Sequence, residues 1–153
     1  FSTLHTNDSA GAVTRLLDMG VEPFLVASSL KAVVAQRLVR RLCPDCKRPF
    51  APGESILRGA KLPAEVPAGS AIFEATGCEK CHQTGYKGRA GIYEVLRVTE
   101  ELEPVIVARE PTSRIKQKAI NLGMRTLRED GWSKVLSGLT TIDEIVSASD
   151  EDT

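Results

Sequence analysis

The sequence carries no excess charge of either sign: 20 Lys and Arg stand against 20 Asp and Glu over 153 residues. A protein held to nucleic acid by bulk charge needs a basic surface, so that class starts at a disadvantage. Aromatic residues make up only 5%, and they do not interleave with basic residues as on a surface that stacks bases. No apolar run is long enough to span a bilayer as a helix. No internal repeat of solenoid length, low-complexity segment or secretory leader is visible. The chain opens on Phe1 and not on Met, and is expected to be a piece of something longer. What is present is 42% apolar and 26% charged residues, enough to bury the core of one domain or two small ones.

Four cysteines fall into two pairs of identical spacing, Cys43-Pro-Asp-Cys46 and Cys78-Glu-Lys-Cys81. A C-x-x-C turn places two thiolates on one side of a tight loop. Two such turns complete a tetrahedron of sulfur around zinc, and four sulfurs leave no open position for chemistry. The expectation is one structural zinc per chain. The 31 residues between the pairs are rich in Pro and Gly and too few to bury a convincing core, so a metal staple supplies what packing does not. Cys78-Glu-Lys-Cys81-His82 also has the C-x-x-C-H form of c-type haem attachment, but haem leaves the first pair without a role. A redox pair at Cys43 and Cys46 needs a strand before it and a helix after, whereas the pattern there is helix, then loop.

Along the chain, Phe1–His5 is short and β-compatible, and Thr6-Asn7-Asp8-Ser9 can cap a helix, with Asp8 as a cap and not a catalyst. Val13, Leu16 and Leu17 have helical spacing, and Gly20 is placed to stop that helix. Pro23 suits a first turn, and the spacing predicts one long helix from Phe24 to Leu42, ended by Cys43-Pro44. Residues 47–77 read as loops with a short helix near Glu54–Arg58. Arg89–Val98 reads as a strand, tied to the preceding loops through Gly88, Arg89 and Gly91. The last third is helical. Thr126–Glu129 and Thr141–Glu144 have the capping-box form, Gly123 ends the helix before them, and Trp132 is a packing anchor. Asp150, Glu151 and Asp152 form an acidic tail.

On the expected long helix, Arg37 and Arg41 fall on the stripe of Leu30, Val33 and Val34. Either the apolar face rotates toward Leu38 and Leu42 and both arginines meet solvent, or one of them serves a subunit interface or an anionic ligand. Both alternatives stand.

Several blocks together resemble the hexameric secretion ATPases that drive type II secretion and type IV pilus assembly. Ser2-Thr-Leu-His-Thr-Asn-Asp-Ser-Ala10 is similar to that family's histidine box. The resemblance runs on through Gln36–Cys46, Gly77–Cys81, Gly85–Val95, Asp130–Val135 and Gly138–Thr141, in the family's order and over nearly the whole chain. It implies an α/β fold comprising the end of a RecA-like P-loop core (1–42), a tetracysteine zinc insertion (43–88), a strand with a C-terminal helical bundle (89–149) and the tail (150–153). It implies ATP and magnesium as ligands, a homo-hexameric ring, and a place on the cytoplasmic face of the bacterial inner membrane. Partners would be a membrane platform protein, cytoplasmic assembly proteins and an anionic membrane surface, with no nucleic acid beyond the nucleotide. It also gives His5 a catalytic-type role, reading the γ-phosphate as donor or water-positioner. On residues alone, His5 reads as a structural hydrogen-bonder.

The departure from the pattern is equally informative. A P-loop needs G-x-x-x-x-G-K-[ST], and the sequence contains no such string. The family's nucleotide-binding residues lie upstream of its histidine box, so this segment alone is expected not to hydrolyse ATP. The contrasting class is a free-standing zinc-stapled module that binds protein or nucleic acid through the basic run from Lys31 to Arg48.

Overall fold

The computed structural model describes residues 1–62, 66–67 and 70–149; the expected acidic tail and the loop residues Pro63 and Gly69 lie outside them. In chain order the elements are α1 (Ser9–Asp18), α2 (Pro23–Ser29), β1 (Ala32–Leu42), β2 (Arg48–Phe50), α3 (Glu54–Gly59), β3 (Ile72–Glu74), a 3-10 turn (Glu79–Cys81), β4 (Tyr86–Arg97), α4 (Glu103–Val107), α5 (Thr112–Asn121), α6 (Leu127–Leu136) and α7 (Ile142–Ser149). The protein is a mixed α/β chain that divides into two compact units. No helix among the described residues is long and apolar enough to cross a membrane.

The first unit comprises Phe1–Gln36 and Tyr93–Leu127. Its α1 starts where Asp8, in extended conformation, accepts the Gly11 N–H on Oδ1 at 2.7 Å, which satisfies one of the orphan donors of the first turn. It ends at Gly20, with φ at 87°. The Gly20 and Val21 N–H groups bond back to Leu17 and Leu16, a Schellman stop. The same device closes α5: Gly123 at φ 94° and Met124 return bonds to Ile120 and Ala119. Ala10, Val13 and Leu17 form the buried stripe of α1. They pack with Val26 and Ala27 of α2, Leu96 of β4, Leu102, Ile106 of α4, and Ile115 and Ala119 of α5.

Two expectations for this part of the chain are corrected. Phe1–Thr6 carries no strand, since no neighbouring strand among the described residues supplies it with a ladder. The single helix expected over Phe24–Leu42 is instead α2 followed by β1. Leu30, at ψ 120°, is the residue where helical geometry ends. The apolar positions 30, 33, 34, 38 and 42 do fit a helix, but Val33, Ala35, Arg37 and Val39 also alternate as the better-covered side of a strand. Pairing with β4 decides between them, and stiff Val33, Val34 and Val39 favour it. Val98 N–H donates to the Lys31 carbonyl at one end and Cys43 N–H to Gly85 at the other, so the two strands run in opposite directions.

The second unit comprises Arg37–Ile92 and the helices from Arg128 onward. β2 and β3 pair antiparallel, with Pro49 opposite Phe73. The expected short helix is α3, and the expected strand is β4. Trp132 is buried on α6 with Val135. A Cβ at Gly131 of α6 would stand 2.7 Å from the Ile145 side chain of α7, so this glycine allows close helix approach. The Arg128 guanidinium bonds Ser149 Oγ at 3.0 Å and the Ala60 carbonyl at 3.1 Å, tying both helices to the end of α3. At the head of α7, Thr141 Oγ1 accepts the Glu144 N–H at 3.4 Å as expected. The Glu144 carboxylate does not complete the box, because Arg40 holds it.

Candidate metal centre

Each C-x-x-C pair sits on a turn that its own backbone closes. In the first, Cys46 and Lys47 N–H groups converge on the Cys43 carbonyl, and in the second the Cys81 and Gln83 N–H groups converge on that of Cys78. The second turn needs left-handed backbone at His82 (φ 53°) and Gln83 (φ 62°). Two glycines make room for it. A Cβ at Gly77 (φ 102°) would meet the Gln83 carbonyl oxygen at 2.6 Å, and one at Gly85 (φ 76°) would meet Ala75 Cβ at 2.6 Å.

The two turns face each other. Cys43 and Cys78 Sγ are 3.9 Å apart, Cys46 and Cys81 3.9 Å, and Cys78 and Cys81 3.7 Å. All four sulfurs lie within 4.8 Å of one another, and none is in a disulfide. A tetrahedron with metal–sulfur bonds of about 2.3 Å has sulfur–sulfur edges of roughly 3.8 Å. The sulfurs are therefore positioned to bind a metal ion. Cys43 and Cys81 are buried and Cys46 and Cys78 half-buried, which limits access from solvent.

The surroundings favour thiolate on one side of the cluster. Burial pushes the Cys81 thiol up, but N–H donation to its Sγ from Cys78 and Gly85, each at 3.2 Å, outweighs this and holds it at about 6. Burial raises Cys78 to about 11. Lys80 Nζ bonds Asp45 Oδ1 at 2.5 Å, a pair that bridges the two turns, lowers the aspartate and raises the lysine. Thr84 Oγ1 donates to the Cys81 carbonyl at 2.6 Å, and Thr76 Oγ1 to that of Cys46.

The other residues singled out in the sequence lie elsewhere. His5 belongs to the first unit and is exposed. Its neighbours Leu4 and Thr6 help line a cavity of about 890 Å³ together with Phe1, Asp8, Leu30 and Val33. Arg37 and Arg41 are both on β1, half-buried and exposed respectively. Four residues apart on a strand is about 13 Å, where a helix would have set them about 6 Å apart. They do not form one clamp.

Two residues that sequence reasoning passed over stand out. Arg40 donates its backbone N–H to Glu144 Oε2 at 2.7 Å and its side chain to Oε1 at 2.9 and 2.6 Å, and lies 4.1 Å over the Tyr86 ring. Glu94, fully buried on β4, accepts both the backbone N–H (3.1 Å) and the hydroxyl of Ser9 on Oε1. The available signal was a carboxylate between Ile92 and Leu96, where the alternation calls for an apolar residue.

The family model described as "Type II/IV secretion system protein" matches residues 1–147. A type IV pilus assembly ATPase PilB of Myxococcus xanthus is 45% identical over 149 residues, covering 95% of this chain and 26% of that protein. A PilB of Thermus thermophilus is 46% identical over 150 residues, 98% of this chain and 17% of that protein. A type II secretion system ATPase E of Vibrio cholerae is 44% identical over 150 residues, 98% of this chain and 29% of that protein. The chain thus spans less than a third of the length of these curated relatives. On the family match and the identities, the chain belongs to the type II/IV secretion system protein family.

Proposed function

We propose that the chain is the C-terminal part of a motor subunit that couples ATP hydrolysis to type II secretion or type IV pilus assembly. One observation carries this reading: relatives named as ATPases of both machines match 95% or more of the chain at 44–46% identity. Residues 1–42 are then the end of a RecA-like core, 43–88 a zinc insertion, and 89–149 a strand with a helical bundle. ATP and magnesium are held by residues outside this sequence, which has no G-x-x-x-x-G-K-[ST] string. The complete subunit works as a homo-hexamer at the cytoplasmic face of the inner membrane, against a platform protein, assembly proteins and anionic lipid.

Cys43, Cys46, Cys78 and Cys81 hold one structural zinc. The ion, when bound, ties the two turns into one body and offers no open position. His5 reads the γ-phosphate in the assembled site. Arg37 and Arg41, about 13 Å apart on β1, act separately if they serve a subunit interface or an anion. The test is ATP turnover by the complete subunit, by residues 1–153 alone, and by the complete subunit with His5→Ala. Turnover only in the complete subunit, lowered by about a hundredfold or more in the variant, supports the reading. Turnover by residues 1–153 alone, or none by the complete subunit, refutes it.

A further inference from the structure

The inward face of β4 reads Ile92, Glu94, Leu96, all fully buried. A carboxylate there carries a desolvation cost that an apolar residue would avoid. Its partners explain what it holds. Ser9 is the first residue of α1, and its N–H is one of the four donors that a helix leaves unmet at its N-terminus. Glu94 Oε1 takes that N–H at 3.1 Å and the Ser9 hydroxyl as well, while Ser9 Oγ also lies 3.7 Å from Met124 Sδ. Next to it, Asp8 caps Gly11 and pairs through Oδ2 with Lys116 Nζ at 3.0 Å. Two carboxylates therefore close on one helix end, where the dipole favours negative charge.

Capping alone does not require both. Asp8 already caps α1, and Glu94 retains a buried Oε2 that has no hydrogen-bond partner among the described residues. A costly buried group beyond the need of the local fold points to a positional demand. The segment upstream shows what is being placed. Phe1–His5 is exposed and without helix or strand, and the turn anchored at Asp8 and Ser9 follows His5 within four residues, so it fixes the downstream side of the His5 segment.

We propose that Glu94 is a positioning residue: by clamping Ser9 it fixes the first turn of α1 and thereby the approach of the His5 segment to nucleotide. This rests on the nucleotide-sensing role of His5 given above. The test is a double-mutant cycle in the complete subunit, with kcat and the KM for ATP measured for Glu94→Gln, His5→Ala and the pair. Glutamine keeps the volume but removes the charge and puts a donor into the pocket. A displacement of about 1 Å costs a reacting group on the order of a hundredfold. Each single variant is expected to lose kcat on that order with KM within about twofold, and the double variant to match the worse single.

Losses that multiply, or full turnover in Glu94→Gln beside an impaired His5→Ala, overturn the proposal while leaving the sensor role intact. Full turnover in His5→Ala removes the sensor role and the proposal with it. If Glu94→Gln does not fold, judged by thiol-bound zinc and amide protection, Ser9→Ala removes the hydroxyl partner alone. The same non-additive kcat loss at smaller amplitude is then expected, and turnover unchanged from the parent overturns the proposal.

Discussion

Replacing Cys81 with serine is the sharpest probe of the metal centre, because Cys81 sits at a buried corner whose sulfur two backbone N–H groups address. It is buried, lies 3.7 Å from Cys78 Sγ and 3.9 Å from Cys46 Sγ, and receives the N–H groups of Cys78 and Gly85. Serine keeps the shape and can accept the same two N–H bonds, but it removes the group that those bonds hold as a thiolate. Structural zinc in small domains is bound by about 10–16 kcal/mol at neutral pH. Sharing that over four sulfurs gives roughly 2.5–4 kcal/mol per ligand, about two to three powers of ten in affinity at about 1.4 kcal/mol per decade. Competition with a chromophoric chelator at pH 7 measures it. Cys81→Ser is expected to bind zinc roughly a hundred- to a thousandfold more weakly, and to expose the stretch between the cysteine pairs to protease. Affinity equal to the parent's would refute the tetrahedral arrangement of the four sulfurs.

Glycine substitution separates strain at the second turn from strain elsewhere. Gly77→Ala forces a Cβ to within 2.6 Å of a backbone oxygen at positive φ, so it should cost about 2 kcal/mol or more in a urea melt and weaken zinc binding. Gly88→Ala has the same sign of φ with open space around it, so about 1–2 kcal/mol with zinc binding retained is expected. Gly131→Ala pushes a methyl into Ile145 at 2.7 Å and should destabilise by about 1–3 kcal/mol, read by the same melt, without touching zinc affinity. Zinc affinity should rise with pH between 7 and 10, because Cys78, raised to about 11, must give up its proton to bind. Cys81, at about 6, is already a thiolate there. Calorimetry in buffers of different ionisation heat should show proton release, and a flat affinity across that range would contradict it.

The cysteine centre was legible because C-x-x-C spacing constrains its own backbone: a short turn must point both thiols one way, and a second turn must face the first to enclose an ion. The caps at Asp8 and Gly20 were legible for the same local reason. What failed was β1. The apolar residues from Leu30 to Leu42 satisfy both periods, and the choice depends on β4, which lies more than forty residues later. A helix would have brought Arg37 and Arg41 side by side, whereas β1 sets them about 13 Å apart. Glu94 escaped notice because its partner, Ser9, is 85 residues away in sequence. A buried carboxylate is recognised by its surroundings, which no window of the sequence contains.

The most direct measurement is the reading frame immediately upstream of Phe1. A strand, a G-x-x-x-x-G-K-[ST] turn and a helix, then acidic segments leading into the histidine-bearing stretch at Ser2–Ala10, are expected there. An initiator codon close to Phe1 with no such turn would contradict it, and would leave a metal-stapled module without a nucleotide site of its own.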